Sequence, residues 1–193
     1  MAQQKQDIRA ARTEQAIRTA FEEMIMHHEQ PIRVTALAKK AGINRKTFYL
    51  HYDTIEDLVN TYVDDARVDL LDRLSQHAVK DYLAERGLLI NTLTAFFLAN
   101  QEFYSYILFQ DDHSGRIRQI RDDVSTHMAE AITKATDYSL NDATIIVSFS
   151  ANTILSLLRL RLAGKLSLTP EQIREKSVEL SVSGLRGAMG LDI

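Results

Sequence analysis

The stretch Ile32-Arg-Val-Thr-Ala-Leu-Ala-Lys-Lys-Ala-Gly-Ile-Asn-Arg-Lys-Thr-Phe-Tyr-Leu-His-Tyr52 reads as two short helices parted by a glycine turn, the second of them basic and aromatic. Val34, Leu37, Ala38 and Ala41 recur at i, i+3, i+4 and i+7, so the first helix has one stripe to bury. Gly42 permits the positive φ with which helices commonly end, and Ile43 is apolar enough to plug the turn. Asn44 has the side chain to cap the next helix. That leaves Arg45, Lys46 and Thr47 in its first turn, where a helix-turn-helix presents residues to base edges. Phe48 and Tyr52, four residues apart, point together into a core. In this arrangement Arg45 and Lys46 are suited to guanine edges, while the same residues on an unrelated helical protein would be a solvated basic face.

Outward from this stretch lie an upstream helix with Ile17, Ala20, Phe21 and Met24 and an acidic helix start that closes on Leu58. Together with Leu37-Ala-x-x-Ala-Gly-Ile and Thr47-Phe-Tyr-x-His-Tyr, they make the run from Ile17 to Leu58 resemble the N-terminal domain of tetracycline-repressor (TetR) family regulators. The chain departs from the family pattern at Arg33, where Ser or Thr is common, and at Ile55, where lysine is common. The resemblance implies a homodimeric regulator, usually a repressor, with a three-helix DNA-binding head. It also implies a helical body that holds an effector pocket and pairs its last two helices with those of a second subunit. By that likeness Thr35 matches a base-contacting position, and Tyr49 and His51 match positions that hold phosphate oxygens.

Charge is divided along the chain. Residues 1–52 carry nine Lys/Arg against five Asp/Glu, and the remainder fourteen against twenty-one, within a net charge of −3. A basic motif-bearing end on an acidic body suits a DNA-facing head. There is no cysteine, which removes disulfides and thiolate sites and is compatible with a reducing compartment. The polar start Met-Ala-Gln-Gln-Lys-Gln-Asp lacks the apolar core of a signal peptide, and no run approaches the ~20 consecutive apolar residues of a membrane span. A soluble cytoplasmic protein without a membrane segment is the expectation.

Only Pro31 and Pro170 interrupt the chain and no alternating strand pattern stands out, so the fold class expected is all-α, with about nine helices. The domains expected are residues 1–53, the DNA-binding head, and 54–193, a helical bundle for effector binding and dimerisation. Pro31 should end the first helix. Thr54-Ile-Glu-Asp57, Ser139-Leu-Asn-Asp142 and Thr169-Pro-Glu-Gln172 read as capping boxes. One helix is expected over 81–100, a short one from Asn100, a loop at 111–115, and a helix from Ile117 to about Ala135. Another, apolar almost all round and needing cover on two sides, should stop at Gly164, before a last helix running to about Met189.

In the body, Thr144, Ser148, Asn152 and Ser156 recur every four positions, a spacing equally compatible with an effector, a subunit interface or water. Phe96, Phe97, Tyr104 and Tyr106 fit either an apolar pocket wall or ordinary core, and His127 a ligand contact or an ordinary histidine. Phe97, Tyr104, His127, Ser148 and Asn152 are the effector candidates. The small residues Ser177, Ser181, Gly184 and Ala188 would let another helix approach closely and are the candidates for the dimer interface. His27-His28-Glu29 lacks the i, i+4 pairing of a helical metal site, so no metal or cofactor is expected. Neither a phosphate loop nor a nucleophile elbow occurs, and the chain reads as a regulator, not an enzyme. The expected partners are an operator in double-stranded DNA, a second copy of the chain and a small-molecule effector. The alternative is a TetR-like co-activator that acts through protein contacts and binds DNA weakly.

Overall fold

The computed structural model describes residues 2–29, 31–85, 87–99, 101, 103, 104, 106 and 114–189. Among them are nine helices and no strand: α1 (Ala2–Met26), α2 (Val34–Lys40), α3 (Arg45–Phe48), α4 (Ile55–Ser75), α5 (Val79–Ala84), α6 (Leu88–Ala99), α7 (Ser114–Ala135), α8 (Leu140–Leu162) and α9 (Pro170–Met189). They fall into two compact units, Met1–Val63 and Asp64–Ile193. The first unit reaches past the expected boundary at residue 53 because Leu58, Val59, Tyr62 and Val63 of α4 are buried.

The core of the first unit joins Ile17, Phe21 and Met24 of α1 to Leu37 of α2, Phe48 of α3 and Leu58 of α4, all buried. Tyr62 locks α4 to α1. Its ring stacks on Phe21 with centroids 5.5 Å apart, its Oη donates to the Arg18 carbonyl at 3.1 Å or to Glu22 Oε1 at 2.9 Å, and the Arg18 guanidinium lies 4.0 Å over its face. Burial, reinforced by the Glu22 carboxylate, holds the Tyr62 hydroxyl neutral far above the ordinary tyrosine range. Pro31 does not end α1, which stops at Met26. His28 takes a left-handed turn (φ 53°), so its N–H reaches the Ile25 carbonyl and that of Glu29 the Met24 carbonyl, each at 2.9 Å.

In the second unit the expected helix over 81–100 is two, α5 and α6, because Gly87 turns the chain at φ +82°. A Cβ there would lie 2.8 Å from Val178 Cγ2, so α9 closes on this bend as only a glycine permits. The core is built by Leu89, Ile90 and Leu93 of α6, Met128, Ala129 and Ile132 of α7, Ala143, Val147, Ile154 and Leu158 of α8, and Ile173 of α9. The start signals hold: Asp142 N–H donates to Ser139 Oγ (3.1 Å), Thr169 N–H to Gln172 Oε1 (2.9 Å) and Gln172 N–H to Thr169 Oγ1 (3.2 Å). Ser114 and Gly115, expected in a loop, lie in the first turn of α7, while Asp111–His113 and Asn100 lie outside the described residues. So do the side chains of Leu83, Ile117, Ile120, Leu162, Leu185, Ala188 and Met189.

Helix α8 is covered on one side only. Ala143, Val147, Ile154 and Leu158 enter the core, but Ile145 is 50% and Phe149 42% exposed. Over Leu140–Arg161 it is long and apolar enough, by length and composition, to cross a membrane, a property that scanning for uninterrupted apolar runs passes over.

Tyr62→Phe should cost about 0.5–1.5 kcal/mol near neutral pH through the loss of its hydrogen bonds. In the native chain Tyr62 titrates above its unfolded value of about 10, so the stability it supplies is present below pH 10 and declines as pH rises beyond that. Urea unfolding from pH 8 to 11 should show a shallower alkaline decline for Tyr62→Phe than for the wild type, by up to about 1.4 kcal/mol per pH unit.

Candidate nucleic-acid interface

Helix α2 begins without a side-chain cap: Arg33 is extended (φ −113°, ψ 142°) and offers no oxygen to the first turn. Leu37 and Ala38 are buried, with Val34 and Ala41 half-buried beside them, which is the stripe read from the spacing. Gly42 closes the helix at φ +68°, where Gly42 N–H reaches the Lys39 carbonyl and Ile43 N–H the Ala38 carbonyl. Ile43 is half-buried in the turn. Asn44 then caps α3, its Oδ1 accepting from Thr47 N–H at 2.8 Å and from Thr47 Oγ1 at 3.0 Å.

α3 is regular only over Arg45–Phe48 and continues as a tighter turn, with Leu50 N–H on the Thr47 carbonyl (3.2 Å) and His51 N–H on the Phe48 carbonyl (2.9 Å). Phe48 and Tyr52 are buried as the four-residue spacing requires, with centroids 5.8 Å apart. Tyr52 Oη also reaches Glu14 Oε1 at 3.4 Å, which ties the end of this turn to α1.

With Phe48 pointing inward, the opposite side of α3 faces solvent. Arg45, Lys46 and Tyr49 are exposed, Thr47 and His51 are half-buried, and Thr35 is exposed on α2. Arg45 Nη2 donates to Tyr49 Oη at 3.3 Å and its guanidinium lies 5.9 Å from the Tyr49 ring, an i, i+4 pair that leaves the phenolic proton for an outside acceptor. Lys40 is directed elsewhere. Its Nζ is 3.0 Å from Glu29 Oε1 and 3.6 Å from Glu23 Oε2, and the hydrogen bond to Glu29 raises its pKa. One exposed residue here carries no role in the sequence reading: Leu50, 84% exposed. Its position four after Lys46 and two after buried Phe48 was the available signal.

The effector candidates lie on several helices of the second unit. Phe97 and Tyr104 join Phe96 in an aromatic group, with Tyr104 centred 4.7 Å from Phe96 and 6.2 Å from Phe97, and Arg73 of α4 5.9 Å from the Phe96 ring. Burial, then the Asp69 carboxylate, raises the Tyr104 pKa against the opposing pull of Arg73. His127 and Asn152 are exposed and Ser148 is half-buried. The small stripe lies on α9. Ser177 and Ser181 are already covered within one chain, so they are unavailable to a second subunit, and a Cβ at Gly184 would lie 2.9 Å from Phe149 Cζ of the same chain. Gly184 thus lies against Phe149 of α8; Ala188 lies outside the described side chains.

No protein-family model matches the chain, and no curated protein is similar enough to it to be counted a relative.

Asn44→Ala, which leaves Thr47 N–H uncapped, should destabilise the first unit by about 1 kcal/mol. Gly42→Ala meets no atom within 4 Å, so its cost is the left-handed backbone alone, again about 1–2 kcal/mol. Thermal unfolding followed by circular dichroism measures both, and a neutral Gly42→Ala would mean that the turn relaxes out of the positive-φ region.

Proposed function

We infer that the chain is a sequence-specific, DNA-binding transcriptional regulator of the TetR type, working as a homodimer and, by the usual sign of that family, as a repressor released by a small-molecule effector. The observation that carries this reading is the outward face of α3: Arg45, Lys46 and Tyr49 presented together on a short capped helix whose opposite side is pinned by Phe48. Arg45 and Lys46 are suited to base edges in the major groove, and the Tyr49 hydroxyl and His51 to phosphate oxygens. The half-buried aromatic group at Phe97 and Tyr104, with Asp69 and Arg73 beside it, supports an apolar, ring-bearing effector.

Dimerisation is supported by the uncovered side of α8 and α9, where Ile145, Phe149 and Leu180 (49% exposed) are interleaved with the exposed Thr144, Asn152 and Ser156. A second copy would cover this apolar surface by two-fold pairing.

Duplexes selected from a random library by the full-length chain should share a two-fold symmetric site. Arg45→Ala or Lys46→Ala should each cost about 1–3 kcal/mol of specific binding at that site, while Tyr49→Phe weakens all sequences alike. Equal affinity of wild type and the Arg45→Ala/Lys46→Ala double variant for the selected duplex would refute the assignment. For assembly, Phe149→Glu should destabilise the dimer by about 2 kcal/mol or more per copy, which sedimentation reads as monomer where the wild type is dimeric.

A further inference from the structure

We propose that Leu50 reads a thymine methyl group in the major groove, a specificity contact beside the polar ones of Arg45 and Lys46; this rests on the DNA-binding reading of the head. At 84% exposed, Leu50 stands well clear of Val68, at 52% the next most exposed large apolar side chain among the described residues. It therefore adds almost nothing to the core and keeps nearly all of its apolar surface in water. Its place is fixed by the backbone. The bond from Leu50 N–H to the Thr47 carbonyl carries the helical path one turn past Lys46, so Leu50 follows Lys46 on the side opposite buried Phe48.

The surroundings select the occupant. Arg45, Lys46 and the Tyr49 hydroxyl flank Leu50 along the turn, and His51 follows it. An apolar protein groove closing on Leu50 would have to desolvate these cations without partners. A DNA duplex instead meets the cations with phosphates and guanine edges, and the apolar group it displays on a base edge in the major groove is the C5-methyl of thymine. A single exposed leucine within a cationic rim fits that pattern.

The test uses the full-length chain and a duplex it has selected from a random library, with each thymine of one half-site replaced in turn by uracil. One replacement should weaken wild-type binding about fourfold, the worth of one buried methyl group. Leu50→Ala should bind the selected duplex several-fold more weakly and lose its response to that uracil. It should keep the wild-type melting temperature, affinity for random duplex and salt dependence. The proposal is overturned if no thymine is sensitive, if Leu50→Ala keeps the uracil response, or if its loss is the same on random and selected duplexes, as for packing on the sugar-phosphate backbone. A wild type that enriches no sequence would overturn the DNA-binding reading itself, and this inference with it.

Discussion

Everything the head can present to a partner depends on the burial of Phe48. The regular part of α3 is four residues long, far below the length at which a helix holds together in water by its own propensity. It persists because Asn44 supplies the missing acceptor at one end and because the Phe48 ring is fully buried, with the Tyr52 ring beside it, at the other. Once Phe48 is fixed inward, the helical path leaves no choice for its neighbours: Arg45, Lys46, Tyr49 and Leu50 fall outside. Positioning by a buried anchor costs little side-chain entropy at the surface, since the outward residues inherit their direction from the backbone.

The second unit solves a different problem, that of a helix with too much apolar surface for one neighbour. The inner stripe of α8 is satisfied by α6, α7 and α9, and Gly184 lets α9 lie close against Phe149. The outer stripe, with Ile145 and Phe149, is only partly covered within the chain, Phe149 by Gly184 of α9. A surface of that kind is costly unless something else covers it, and its polar interleaving by Asn152 and Ser156 resembles the mixed composition of protein interfaces more than a domain core.

Features written in local chemistry were legible in the sequence. Asn44, Thr54, Ser139 and Thr169 all cap helices as their types and spacings indicate, since a cap is decided within four residues. What the sequence did not show was decided by contacts between distant segments. Gly87 breaks a run that otherwise reads as one helix, and the reason, Val178, lies far along the chain. Periodicity alone cannot say whether Ser177 and Ser181 face their own chain or another, because both need small residues. α1 ends ahead of Pro31 because His28 adopts a left-handed turn that glycine or asparagine usually takes, a stop that residue type does not announce. In the candidate site, charge marks Arg45 and Lys46 in the sequence itself, whereas nothing local marks Leu50, because a leucine at helical spacing fits a core as readily as a surface.

Charge at the head is more focused than counting suggests. Nine basic residues precede position 53, yet Lys40 is held by Glu29 and Glu23, and Arg18 lies over the Tyr62 ring. Those two serve packing and turn closure. The outward positive charge of the motif is thereby concentrated on Arg45 and Lys46, beside exposed Arg33 and Lys39 of the preceding segment. Residues beyond 52 carry an excess of seven acids, so a polyanion approaching the molecule is attracted at one stretch of the chain and repelled by the rest. On the proposed reading, contacts to a nucleic-acid backbone and contacts to base edges would fall to different side chains of the outward turn of α3, the cations and Leu50 among them.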